Sequence, residues 1–224
     1  MRSAAKLPPW ARRALSAGIH AAWAWICDAG TILSGDAASR RFGHFGRGSA
    51  IIFPHGAMFG ERWIRIGDET ILGPDVTLSA GMVPGQEMYT DPVVSIGDRC
   101  AIGRGSCIVG HLSIEIGDNI QFAPYVYVTD QNHRYEDVDT PIGRQWPENQ
   151  AVKIGSGCWL GVGAKVLPGA TIGKHVTVAA GAVVRGTIPD NCVVAGVPAR
   201  IVRRYVEGEG WVSVPAPSGV SAPG

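Results

Sequence analysis

The sequence has no sustained run of one charge. Its 20 basic and 19 acidic residues leave a formal net charge of +1 over 224 positions. That balance gives no electrostatic case for nucleic acid, and no recognised nucleic-acid module is present. Cysteine is scarce and odd in number: five occur, at 27, 100, 107, 158 and 192, with no CxxC pair of the metal or redox kind. Reduced thiols in a cytoplasmic protein are expected, without a disulfide framework. One apolar stretch, Leu15 to Cys27, follows Arg12 and Arg13, but it is short for a membrane span, contains His20 and leads into Asp28 with no clear cleavage site. A packed helix, a peripheral membrane contact and, least favoured, a targeting or spanning segment are the uses open to it.

Glycine, by contrast, is abundant at 31 residues, yet 46% of the chain is hydrophobic, which excludes a disordered chain. From Ile154 the sequence falls into sixes, with Ile154, Leu160, Val166, Ile172 and Val178 at one phase. An apolar residue every sixth position fits neither the 3.6 period of a helix nor the 2.0 period of a strand. Three such units make one triangular turn, so the expected fold is all-β, a left-handed parallel β-helix whose phased aliphatics stack coil on coil. Gly155, Gly161 and Gly173 are expected to supply backbone freedom at its corners. Cys100, Cys158 and Cys192 fall at repeat positions suited to small buried side chains.

Taken in order, residues 1–44 form an N-terminal segment with a helix expected from Trp10 to Leu33. Its Trp10, Trp23 and Trp25 would cover the open end of the prism or meet another subunit, core packing being their ordinary use. The β-helix is expected over 45–204. Its phase is weak at Phe45, Ile51, Ala57 and Trp63, clear at Ile66, and broken after Val83 by a loop. It resumes at Ile96, and the next equivalent position is Ile116, two residues beyond a regular coil of 18. Ile116 to Ile154 spans 38, which would be two coils plus 2 if regular, but residues 130–151 are polar and carry Pro141 and Pro147, as a projecting loop would. The stretch 205–224, rich in Pro, Ser and Gly, is expected to be a tail that is flexible or draped on a neighbour.

The segments DQNH at 130–133, IGSGCWLGVGAKVLPGATIG at 154–173, AAGAVV, and IPDNCVVAGVPARIVRR near the end together resemble the hexapeptide-repeat acyltransferases. The nearest branch in character is the O-acetyltransferases related to maltose, galactoside and polysaccharide acetyltransferases. The resemblance implies a homotrimer with each active site between two β-helices, acetyl-CoA as the acyl donor, no metal, and a small-molecule or glycan acceptor. It implies that His133 is the general base toward the acceptor hydroxyl, a role that suits an imidazole. Asp130, Glu136 and Asp137 are the carboxylates near enough in sequence to orient it or merely to solvate the loop. Trp159 would shape the CoA groove, Val162 and Ala180 would meet the pantetheine arm, Arg203 matches a basic residue near the nucleotide end, and Arg185 stands beside a position often basic in the family, here Gly186, where it could pair with phosphate. His111, Asp130 and Asn132 would stand on the acceptor side. Gly105 occupies the position where galactoside-acetylating relatives carry an acceptor-binding asparagine, a departure that argues against that sugar specificity.

Two other classes compete. A metalloenzyme like the γ-carbonic anhydrases needs three histidine ligands, whereas His111 and His133 are 22 apart and Arg134 follows His133. A non-enzymatic β-helix scaffold would leave His133 and its long loop without a purpose.

Overall fold

A computed structural model describes residues 7–215. Each six-residue unit contributes a strand of two to four residues whose phased aliphatic turns inward while its predecessor turns outward: Trp159–Leu160, Lys165–Val166 and Thr171–Ile172 each read exposed then buried. Such strands line three faces of a prism, and the chain is a left-handed parallel β-helix. The first face runs through Ile51, Leu72, Ile102, Phe122, Leu160, Val178 and Val194; the second through Leu78, Ile108, Val128, Val166 and Val184; the third through Ile66, Ile96, Ile116, Ile154, Ile172 and Ile188. These aliphatics, with Cys100, Cys158 and Cys192 as expected, form one continuous core. Burial pushes the Cys100 and Cys158 thiols up.

Register assigns the irregular lengths. Ile154 pairs with Ile172, the regular coil of 18. Ile116 pairs directly with Ile154, so those 38 positions are a single coil carrying an insertion of 20, not two coils. Likewise Ile96 pairs with Ile116 and Ile66 with Ile96, giving excesses of 2 and 12. All three excesses leave from one corner, between the second and third faces, because Ser79, Val109 and Thr129 are paired before it and Val94, Ile114 and Val152 after it.

The role of the corner glycines differs from expectation. Gly155, Gly161 and Gly173 lie outside the left-handed region; a Cβ on Gly161 would stand 2.6 Å from the Ala180 backbone nitrogen, and one on Gly155 2.7 Å from the Gly173 carbonyl carbon. They are small because the next coil passes against them. The left-handed residue comes two positions later, at Gly157, Gly163 and His175. At the corner from the third face to the first, this conformation is also held by Glu69, Arg99, Asn119 and Asn191. There a side chain of one coil caps the preceding one: Asp98 Oδ1 accepts the Asp68 N–H at 2.8 Å, Asp118 Oδ1 accepts the Asp98 N–H at 2.9 Å, and the Ser156 hydroxyl accepts the Asp118 N–H at 3.0 Å.

On the first face both ends of the prism are covered by antiparallel pairing, which protects the edge of the first and last coils there. At the start, Ile32–Leu33 pairs with Ala50–Ile51. At the finish, Arg200–Val206 turns back on Cys192–Ala195 and forms a hairpin with Gly210–Ser213, where the Tyr205 and Trp211 rings meet edge to face at 6.0 Å. The expected flexible tail is thus corrected for 205–213; residues 216–224 lie outside the described residues.

The helix α1 spans Pro9–Gly30, ending short of Leu33 because Gly30 abuts the Phe53 ring and Thr31 caps the last turn through its N–H and hydroxyl to the Cys27 carbonyl. None of its residues is buried, and Trp10, Trp23 and Trp25 are 74%, 53% and 70% exposed. Packing of this helix on the chain's own core, the ordinary expectation for those tryptophans, does not occur.

Close approach and left-handed backbone predict opposite tolerances. Gly161→Ala should cost about 1–3 kcal/mol through overpacking against backbone that cannot yield. Gly163→Asn, at φ +66° with nothing within 4 Å of a Cβ, should cost under about 1 kcal/mol, since asparagine tolerates that conformation. Thermal unfolding of the two variants beside the parent should give that order; equal midpoints would contradict the assignment.

Candidate functional site

The corner that collects the three excesses is held by one carboxylate. After Cys107–Gly110 the extra residues open the turn so that three successive backbone N–H groups converge: His111 donates to Asp130 Oδ1 at 2.8 Å and to Oδ2 at 3.0 Å, while Leu112 and Ser113 donate to Oδ2 at 2.8 Å each. Asp130 is completely buried. Charge-assisted bonds of this kind compensate the desolvation of a carboxylate. The imidazole of His111 packs beside it, 10% exposed, with Nδ1 buried, 3.4 Å from Oδ1 and without a hydrogen bond. The neighbouring 12-residue insertion is tied to the same turn by the Thr90 hydroxyl, which donates to the Leu112 carbonyl. Ion pairs Arg62–Glu87 at 3.1 Å and Arg65–Asp91 at 3.0 Å fasten it to the preceding coil.

The long insertion leaves directly from Asp130. Its stem is a short antiparallel ladder, Gln131 opposite Asn149 and Asn132 opposite Glu148, closed by the Gln150 N–H on the Asp130 carbonyl at 2.7 Å. Asn132 and His133 are exposed, and His133 sits just past the ladder. The three carboxylates expected near it are engaged elsewhere. Asp130 holds the corner. Glu136 is drawn below the usual carboxylate range by its own and the Tyr135 backbone N–H, then by Arg134. Asp137 is drawn down by the Thr140 hydroxyl and the Asp139 N–H. Gln145 Nε2 ties the Asp137 and Thr140 carbonyls together at 2.8 Å each. Among the described residues no carboxylate pairs with His133.

The other candidates stand apart from this corner or farther along it. Trp159 projects from the first face between Gln121 and Thr177, about half exposed. Val162 and Ala180 occupy the corner between the first and second faces in successive coils, both exposed, and the Val162 carbonyl accepts the Gly181 N–H at 2.8 Å. Arg185 lies on the second-to-third corner, beyond the insertion, and is exposed. Arg203 belongs to the terminal hairpin, its guanidinium 3.3 Å from the Trp211 carbonyl. One prism therefore groups His111, Asp130 and the base of the His133 insertion, but spreads Trp159, Val162, Ala180 and Arg203 over another face and corner.

Gly105 has φ +66°, and a Cβ there would lie 2.5 Å from Tyr125 Cε1. The tyrosine, itself left-handed at φ 63° and 60% exposed, fills the space beside that corner. Sequence reasoning did not single out Tyr125; its only signal was an aromatic where other corners carry glycine. Among the described residues no group of three or more His, Cys, Asp or Glu side chains is placed to hold a metal ion.

With this geometry established, residues 151–186 match the family model "Bacterial transferase hexapeptide (six repeats)" and residues 93–124 match "Hexapeptide repeat of succinyl-transferase". The chain is 36% identical over 143 residues to the probable acetyltransferase Rv3034c of Mycobacterium tuberculosis, covering 63% of this chain and 42% of that protein. It is 43% identical over 120 residues to the putative lipopolysaccharide biosynthesis O-acetyl transferase WbbJ of Escherichia coli, covering 50% of this chain and 61% of that protein. The chain thus spans about half the length of the curated relatives it matches. Among solved structures, the hexapeptide-repeat containing acetyltransferase VCA0836 of Vibrio cholerae, complexed with acetyl coenzyme A, superimposes with a TM-score of 0.51 at 25% identity, covering 76% of this chain and 79% of that one. The resemblance to hexapeptide-repeat acyltransferases and their left-handed β-helix holds.

The corner makes Asp130 a structural anchor. Replacing it with alanine strands three N–H groups, at about 1–3 kcal/mol for each buried donor left unpaired, reduced where water enters. Asp130→Ala should lower stability by about 3 kcal/mol and speed limited proteolysis within 131–149, read by mass spectrometry of the fragments. Unchanged cleavage there would show that the insertion is held by its own ladder.

Proposed function

We propose that this chain is an acyltransferase that moves an acetyl group from acetyl-CoA to a hydroxyl of a sugar or glycan-related acceptor, with His133 as the general base. The observation that carries the reading is the 20-residue insertion that presents His133 from a rigid corner, in a chain whose repeats match those of transferases. The similarity to proteins described as O-acetyl transferases, and the acetyl coenzyme A complex of a fold neighbour, support the reaction class and donor. The acceptor oxygen attacks the thioester carbonyl as the imidazole takes its proton. Collapse of the tetrahedral adduct expels the CoA thiolate, which is protonated in turn, so no covalent enzyme intermediate is needed. His111, beside the stem of the insertion, is assigned to the acceptor side.

The same reading calls for a homotrimer. Trp159, Val162, Ala180 and Arg203 lie off the corner that carries His133, so a second copy's wall is required for donor and base to share one groove. Sedimentation equilibrium should give about three times the chain mass of 23.6 kDa, and a stable monomer at working concentration would count against a shared site.

For the base, His133→Ala should lower kcat about 10²- to 10⁴-fold while the dissociation constant for CoA stays within about twofold, measured with any acceptor found by screening with labelled acetyl-CoA. A variant that keeps more than about one tenth of the rate would move the base to His111.

A further inference from the structure

The proposed transfer makes no use of α1. Along Pro9–Gly30, Leu15, Ile19, Ala22 and Ile26 recur at intervals of four, three and four, with Trp23 beside them, which places them on one side; Arg13, Ser16 and His20 share another. Leu15, Ile19, Trp23 and Ile26 are 55%, 58%, 53% and 41% exposed, so a continuous apolar stripe is left about half open along the helix. The charge of this region is as uneven as the whole chain's is balanced. The first 27 residues hold four basic residues, Arg2, Lys6, Arg12 and Arg13, and no acidic one; the remaining 197 hold 16 basic against 19 acidic.

We propose that α1 is a membrane-surface element: it lies flat on an anionic lipid bilayer, with Leu15, Ile19, Trp23 and Ile26 in the interfacial region and Arg12 and Arg13 against lipid phosphates. Three observations favour lipid over a second copy of the helix. The region up to Cys27 is free of acidic residues and complementary to an anionic surface, whereas parallel pairing of the helix with its own copy would oppose Arg12 and Arg13 to each other. Tryptophans at 10, 23 and 25 present large amphipathic rings of the kind that settle at a headgroup boundary. The helix is long enough, at 22 residues, for an extended contact, yet no helix among the described residues is long and apolar enough to cross a membrane. Lying on the bilayer is what such a segment does.

The test uses the full chain and does not depend on transferase activity. Co-sedimentation with vesicles of phosphatidylcholine alone, and of phosphatidylcholine containing phosphatidylglycerol, should show binding only to the anionic set, weakened by about 0.5 M salt. Arg12→Ala with Arg13→Ala should reduce the partition coefficient about thirtyfold, from about 1 kcal/mol per basic residue at such a surface. Ile19→Ser with Trp23→Ser should reduce it more than about tenfold by removing apolar burial. Circular dichroism and light scattering on the same samples should show helix content and molecular mass unchanged. Absence of binding to anionic vesicles overturns the proposal. So does a fall in molecular mass in the serine variant, because the stripe would then be covered by another copy of the chain.

Discussion

Everything in this molecule depends on one coil lying directly on the next. Parallel pairing sets neighbouring backbones about 4.8 Å apart, and the register from Ile64–Ile66 to Thr187–Ile188 repeats that spacing without interruption. Two consequences follow from the same distance. Inside, one aliphatic per strand fills the prism and closes the core with its neighbours above and below. At the corners, the backbone passes so near that Gly155, Gly161 and Gly173 leave no room for a Cβ, while the residue two places on takes the left-handed turn. The sixfold repeat in the sequence is the imprint of these two requirements.

A stack this strict leaves few places for variation, and the variation is concentrated. Extra residues can leave only where the ladder on either side stays in register, and here three consecutive coils put them at one corner. Asp130 converts that irregular corner into a rigid one: its carboxylate satisfies the N–H groups that the two extra residues strand, and its main chain starts the insertion. The core thus reaches His133 through four residues of chain, the first completely buried and the last exposed. A side chain on a long excursion is positioned by the stem of the excursion, and the stem is anchored in the solenoid.

The two ends of the prism solve the same edge problem in different ways. The C-terminal hairpin pairs with the last coil and covers its edge on the first face. At the other end a two-residue antiparallel strand does this, and α1 is left with no face of the solenoid to pack on. Its apolar stripe and its basic residues are therefore properties of an appendage, separate from the economy of the repeat.

The period of six, read from Ile154 onward, was enough by itself to determine a triangular solenoid with a column of aliphatics and buried cysteines at 100, 158 and 192, because each coil makes the same local demand on its residues. The helix at the N-terminus and the break at 130–151 were equally legible from alanine content and from lost phase. What only the tertiary structure decided were relations between coils. That Ile116 and Ile154 are neighbours, with 20 residues set aside between them, is a matter of register, which a count of 38 leaves open between one coil and two. That Asp130 faces the N–H groups of residues 111–113 and not His133 depends on stacking across 19 positions of chain. The closeness that forbids a Cβ at Gly161, and the exposure of α1 despite its three tryptophans, have the same origin. A sequence states which side chains are apolar or small, but what each one touches is set by the backbone that happens to lie across from it.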